Sequence, residues 1–276
     1  MEPESTFPGR NWGTLARSIY AVTMVLYLMF SVSSFTWGDS GKGKVTELAD
    51  SDKAIFDCLL GPGVVGKSVS APVIEDPQDF INLRAGDWHF RVTSGKGKGT
   101  LRTHSLRPLK RKGPVRAWRW SSGSQDILYL HRSAQDSIFA VSEQDADQGI
   151  VVRFAPDIPL LVAGFAPGET KILKINVKVY DLTDPDNLEY KGSLKLTLSY
   201  LGAYETKVPA GTYEACLIKW KYKGKVGPAE IKDVSYRFFS KGVGMVALID
   251  KKSISAFILY QKHSKEGEVL TRVSFQ

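Results

Sequence analysis

The sequence predicts a mainly β protein: a curved antiparallel sheet, a half-barrel or sandwich, with an N-terminal hydrophobic helix. Three observations carry that reading. From Trp88 onward, short β-branched and aromatic runs alternate with turn residues. No long helical periodicity occurs after residue 85. In the run Tyr213–Tyr222, Cys216, Ile218, Trp220 and Tyr222 share one face, while Ala215, Leu217, Lys219 and Lys221 share the other. That alternation describes a strand with one dry face and one that grows wetter toward its end.

Residues 1–37 read as a signal peptide or a membrane anchor. After Arg17, the segment from Ile19 to Phe35 carries no charge. Its most apolar part, Ile19 to Phe30, has the length of a signal-peptide core and is shorter than the roughly 20 residues a spanning helix requires. Ser31, Val32, Ser33 and Ser34 supply small residues for cleavage. In the alternative, an uncleaved anchor, Phe35 and Trp37 would sit at the membrane interface. Both readings place the bulk of the chain outside the cytoplasm, in the periplasm or on the cell envelope. A retained segment would keep it in contact with the membrane.

Residues 38–85 read as a linker and an irregular segment. Residues 38–53 are glycine-rich and charged, Ala54–Leu60 suits a short helix, and Pro62, Pro72 and Pro77 interrupt regular structure from there to residue 85. The antiparallel β domain is expected over residues 86–276. Its shorter strands are predicted at Trp88–Val92, Thr100–Leu106, Val115–Trp120, Ile127–His131, Ile138–Val141 and Ile150–Phe154. Longer ones are predicted at Lys171–Tyr180, Gly192–Tyr204, Tyr213–Tyr222, Ile231–Phe239, Val243–Asp250, Ser255–Gln261 and Val269–Phe275. Asp184-Pro185-Asp186-Asn187 and Lys223-Gly224-Lys225 are read as hairpin connections.

The chain of 276 residues is 43% hydrophobic and 24% charged, which excludes wholesale disorder. Two cysteines, Cys58 and Cys216, exclude a disulfide-dense scaffold and a cysteine-rich metal site, and leave one disulfide open. Lys and Arg exceed Asp and Glu by 37 − 29 = +8. That excess is local. Between Gly95 and Trp120 lie Lys96, Lys98, Arg102, Arg107, Lys110, Arg111, Lys112, Arg116 and Arg119, with no acid among them. Such a stripe is either a solvated glycine-rich turn or an electropositive patch for an anionic polymer or membrane surface. Nucleic acid is the less favoured partner. Arg116, Trp118 and Trp120 alternate beside it, either stacking a flat ligand or packing the indoles inward with Arg116 at the rim.

Gly61-Pro62-Gly63-Val64-Val65-Gly66-Lys67-Ser68 fits the phosphate-loop pattern G-x-x-x-x-G-K-[ST]. A working loop needs a helix starting at the Lys-Ser pair, and Pro72 comes too soon for one. A Gly/Pro turn is the better reading, and a P-loop nucleotidase the lesser one. His89, His104, His131 and His263 have no metal-binding spacing; Asp87 and His89 would share a strand face but supply only two ligands. No G-x-S-x-G elbow or Cys–His signature is present, and a carboxylate-based hydrolase stays open because its pair would be spatial. No catalytic residue, metal or cofactor is expected.

Residues 150–250 carry a series of motifs: Pro167-Gly168-Glu169, then Val208-Pro209-Ala210-Gly211-Thr212-Tyr213-Glu214, then Lys241-Gly242-Val243-Gly244-Met245-Val246. This order resembles a family of exported bacterial β-rich proteins of unknown function, similar in architecture to the half-barrels of lipoprotein-localisation factors. The resemblance implies a curved sheet and brings no catalytic residues with it. In physical terms Pro209 fixes a corner and the glycines allow tight turns that shape the sheet. The expected protein is an exported, non-enzymatic envelope protein whose concave sheet holds an apolar ligand such as a lipid or a lipoprotein acyl chain. Binding of an anionic surface through Lys96–Arg119 is the alternative.

Overall fold

The computed structural model describes residues 47–109, 117–123, 126–256 and 260–276, without the side chains of 256–262. The expected signal or anchor over 1–37 lies outside these residues. Two helices, α1 (Asp50–Leu59) and α2 (Gln78–Ile81), flank a short strand, β1 (Val65–Val69). The barrel strands begin with β2 (Gly86–Ser94), β3 (Leu101–Pro108), β4 (Ala117–Ser122), β5 (Asp126–Arg132), β6 (Ile138–Asp145), β7 (Ile150–Leu161) and β8 (Thr170–Asp181). They end with β9 (Leu188–Val208), β10 (Gly211–Val226), β11 (Ala229–Ser240), β12 (Gly244–Ala256) and β13 (Tyr260–Phe275).

Neighbouring strands run antiparallel from β9 through β13 to β2, and on through β3 to β8. β8 then pairs back onto β9, from Thr170↔Ser199 to Tyr180↔Leu188. The sheet is therefore a closed barrel of twelve strands, with β1 added outside it along β9. This corrects the half-barrel or sandwich expectation. Closure rests on the pairing of the last strand with the first barrel strand, β13 with β2, from Gly267↔Ser94 to Phe275↔Gly86. Alternation within each strand reveals inward and outward residues but not whether the last strand finds the first.

Two further expectations are corrected. Lys223-Gly224-Lys225 is not a hairpin connection: it lies inside β10, paired with Lys195, Leu194 and Ser193, and the turn comes at Gly227 and Pro228. Ser255–Gln261 is not a strand of its own; its ends belong to β12 and β13, which pair as one hairpin at Ser255↔Gln261. Serine and β-branched residues near a hairpin tip look like a short strand when the partner is unknown.

The barrel interior is divided. One wall is apolar, formed by Val152, Val177, Val179, Leu194, Leu196 and Leu198, all at most 1% exposed. The end where β10 begins is plugged by residues 70–85. Ile74 pairs with Phe165, Tyr200 donates its hydroxyl hydrogen to the Pro72 carbonyl at 2.9 Å, and the Trp88 indole donates to the Val243 carbonyl at 2.7 Å. Trp88 stacks on Trp120, with ring centroids 5.7 Å apart. On the outside, α1 lies against β11 to β13, its Phe56 edge-on to Tyr236 and Phe238. Gly267 permits that seat, because a Cβ there would stand 2.2 Å from the Leu59 carbonyl oxygen.

Outward positions of β8 to β11 carry exposed lysines such as Lys174, Lys195, Lys223 and Lys232. Lysine facing the middle of a bilayer costs roughly 2–4 kcal/mol each, so this wall faces water and not lipid tails.

Candidate functional site

A cavity of about 460 Å³ opens at the plugged end, where the start of β10 meets the end of β11 and the plug. Pro72, Phe80, Ala203, Tyr213 and Cys216 give it apolar lining, and Ser70, Thr212, Glu214, Ser240 and Lys241 give it polar groups. The volume falls in the range of small-molecule sites, and the mixture of lining is typical of them. Two sequence motifs meet here: Thr212, Tyr213 and Glu214 come from one, Lys241 from the other. The sequence shows them as corners of the sheet. Their convergence arises from the pairing of Cys216 with Phe239 across β10 and β11, which no local pattern discloses.

Its polar groups are held in place. The Tyr213 hydroxyl donates to the Ala210 carbonyl at 3.0 Å, and Lys241 pairs with Asp79 of the plug at 2.8 Å. Asn82, at φ 52°, sends its amide to the Gly242 carbonyl at 2.8 Å, tying the plug to the glycine turn. Cys216 is buried with its sulfur 2.9 Å from the Tyr200 hydroxyl oxygen, which accepts from the thiol because its own hydrogen goes to Pro72. Burial pushes the Cys216 thiol up to about 11, so the thiol is a neutral wall and not a nucleophile. Cys58 is exposed on α1, and both cysteines are free thiols.

The opposite half of the barrel interior is charged. Arg237 and Asp250 form a buried pair at 3.0 Å, and Ser235 also donates to Asp250. Glu268 accepts from His104 at 2.9 Å and from Arg102, and Arg102 also pairs with Glu266 at 2.5 Å. Asp233 is 2% exposed and, among the described residues, has no side-chain partner at hydrogen-bond distance. Burial, moderated by Lys252 and reinforced by Asp250, pushes the Asp233 carboxyl up to about 7. Burial and the Asp145 carboxylate likewise push Asp126 up to about 6.

The five described residues of the predicted basic stripe face different ways. Lys96 and Lys98 lie in the exposed turn after β2. Arg102 turns inward to Glu266 and Glu268. Arg107 turns outward and clasps Asp87 at 2.6 and 2.8 Å, while Arg119 is exposed. Lys110, Arg111, Lys112 and Arg116 lie outside the described residues. Trp118 and Trp120 are buried inside the barrel, so those indoles offer no surface for stacking a flat ligand.

The phosphate-loop pattern is resolved by its backbone. Gly61 to Val64 form a turn, and Lys67 and Ser68 sit in β1, where Ser68 pairs with Tyr204. A strand spreads successive N–H groups to opposite sides and cannot wrap a phosphate, so the P-loop nucleotidase reading is set aside. The preceding stretch, where a phosphate loop needs a strand, is helix α1. The histidines are placed separately. His89 bonds Thr103 at 3.0 Å, His131 stacks on Phe139 and pairs with Asp157 at 3.2 Å, and His263 is exposed.

No family model matches the chain, and no curated protein matches it. Solved structures do. A Bacteroides fragilis protein described as exported, with a YmcC-like fold, is 12% identical and aligns with a TM-score of 0.41 over 71% of this chain and 98% of its own. A Parabacteroides distasonis protein described as a lipoprotein is 12% identical, with a TM-score of 0.35 over 75% of this chain and 100% of its own. The hypothetical lipoprotein YmcC of Escherichia coli is 8% identical, with a TM-score of 0.36 over 83% of this chain and 98% of its own. By description, these neighbours are exported proteins or lipoproteins, as the motif resemblance implies.

Proposed function

We propose that this protein is an exported, non-enzymatic cell-envelope protein that binds the apolar portion of an amphiphile in the cavity at the plugged end of the barrel. One observation carries the reading: the two motif segments, around Thr212–Glu214 and at Lys241, converge on a single cavity of about 460 Å³. Pro72, Phe80, Ala203 and Cys216 would shed water against an aliphatic chain, which favours binding by roughly 25 cal/mol per Å² of apolar surface removed from water. The hydroxyls of Ser70, Thr212 and Ser240 would meet the polar end.

This differs from the expected concave sheet. Closure of the barrel leaves the inner face of the sheet packed, and the cavity stands at its end instead. Native mass spectrometry of protein purified from the envelope of its host tests the reading. An adduct of lipid or single-chain amphiphile mass is expected, and Thr212→Trp, which projects an indole into the cavity, should abolish it. Protein that is always free of adduct, and that takes up no amphiphile when supplied with one, would refute the proposal.

A further inference from the structure

The outer wall of the barrel holds a second candidate, independent of the cavity. Register places Lys174 opposite Lys195, Lys195 opposite Lys223, and Lys223 opposite Lys232. One row of lysines thus crosses β8, β9, β10 and β11, spanning about 14 Å at the usual strand spacing. Lys178 and Lys191 face each other in a neighbouring row, and Lys225 comes after Lys223 on the same face of β10. All seven are exposed. Among the described residues Lys174, Lys195, Lys223 and Lys225 have no ion pair, whereas Lys232 at the end of the row pairs with Glu230 at 3.0 Å.

Like charges placed directly opposite each other weaken a sheet, so the row opposes folding. It also surrounds a shallow depression of about 470 Å³, walled by Lys174, Lys195, Lys223 and Lys225 with Ser193 and Gly224 between them. Gly224 keeps β9 and β10 close at this point, because a Cβ there would stand 2.1 Å from the Ser193 carbonyl oxygen. Ile172, 61% exposed, lines the same depression.

We infer that this wall is a docking surface for an anionic membrane, and that the depression seats a lipid phosphate headgroup. Four ammonium groups around one recess match a phosphate, and the further lysines match the phosphates beside it. Ile172 supplies an aliphatic contact at headgroup depth. The array extends in two dimensions over a convex wall, which suits a surface of charges; a single-stranded polyanion needs a groove to track. The exposed large apolar side chains among the described residues are Val73, Leu101, Ile172 and Leu188, so the aromatic platforms that stack nucleic-acid bases are not among them.

The test is co-sedimentation of the full chain with vesicles of phosphatidylcholine alone or mixed with phosphatidylglycerol, at low and high salt. Tighter binding to the anionic vesicles, suppressed by salt, is expected. K174Q/K195Q/K223Q should weaken it on the order of a hundredfold, while K96Q/K98Q/K207Q, with the same loss of charge elsewhere, leaves it near the wild-type value. Thermal melts confirm that both variants fold. Equal loss in the two variants, or no loss in the first, would overturn the inference. Saturation of the site by inorganic phosphate, or binding of heparin without binding of vesicles, would overturn it in favour of a free-phosphate or polymer site.

Discussion

Arg237 and Asp250 face each other across β11 and β12 inside the barrel, 3.0 Å apart, with side chains 4% and 3% exposed. Their surroundings offer each charge no solvent. Arg237 also donates to the carbonyls of Tyr236 and Ile249, both at 3.2 Å, so both Nη1 hydrogens are satisfied by backbone. Asp250→Ala leaves the guanidinium buried without its counter-charge, and a loss of about 3–5 kcal/mol is expected in urea unfolding. The double variant Arg237→Met with Asp250→Leu should recover most of that loss, since a buried pair replaced by apolar groups of similar size is close to neutral.

Asp233 makes stability fall as pH rises. Its carboxyl is held up to about 7 by burial, against an ordinary value of 3.8, so the folded chain keeps a proton that the unfolded chain releases between those values. Stability from this group is full below pH 3.8 and is lost as pH rises toward 7. Asp233→Asn should remove that slope and stabilise the protein above neutral pH, by at most on the order of 4 kcal/mol. Urea midpoints measured across this pH range decide it: a parallel wild-type and variant profile would show that Asp233 is ionised in the folded state.

Glu268 works in the opposite sense. Burial alone would raise its carboxyl, but the His104 ring and the Arg102 guanidinium outweigh that and hold it below the ordinary value. Its contribution is present above pH 4.5 and lost as pH falls through the lowered folded value. Glu268→Gln should therefore destabilise the protein at neutral pH and flatten the acid limb of the stability profile. Acid titration of both proteins by circular dichroism checks this.

Asp52 fastens α1 to the barrel. It accepts from Tyr236 at 2.8 Å and from Lys219 at 2.9 and 3.1 Å. Asp52→Ala leaves the buried phenol without its acceptor, for an expected cost of about 1–3 kcal/mol. Hydrogen exchange in residues 50–59 should accelerate more than exchange in β9 or β10. Uniform acceleration across the barrel would show instead that α1 and the sheet open as one unit.

The two thiols should differ sharply in reactivity. Cys58 is exposed, whereas Cys216 is buried with its thiol pushed up to about 11 by burial. Labelling of native protein at neutral pH should modify Cys58 at least about tenfold faster, since burial both shields Cys216 and holds it as the neutral thiol. In Cys58→Ser protein, an amphiphile bound in the cavity should slow the remaining reaction further. Equal rates for the two thiols would mean that the cavity wall opens readily.

The strands were legible because their chemistry is local. Ile218, Trp220 and Tyr222 alternate with Lys219 and Lys221, and β10 places the first set inside and the second outside. Closure was not legible, since it depends on the last strand, β13, pairing with the first barrel strand, β2, as Phe275 does with Gly86. The described residues of the basic stripe diverge for a related reason. Arg102, Arg107 and Arg119 are close in sequence, but period-two alternation and burial send Arg102 to Glu268 inside, Arg107 to Asp87, and Arg119 to solvent. The lysine row on β8 to β11 is the reverse case. Its members lie 21, 28 and 9 residues apart in sequence, and only register brings them abreast. A signal was present in the alternating lysines of Lys219–Lys225, and it pointed to a wet face without saying what stood on the adjoining strands.

The ladder between β13 and β2 joins Phe275 to Gly86 and Val269 to Arg91, so the earliest barrel strand to be synthesised is paired by the last. While the ribosome is still adding β12, β2 has one of its two neighbours and the ring is open. Contacts so distant along the chain are slow to form, because loop closure must precede them. The ring thus stays open until its final strand emerges. Completion of the ring is therefore the last event in assembly, since no earlier pairing joins its two ends.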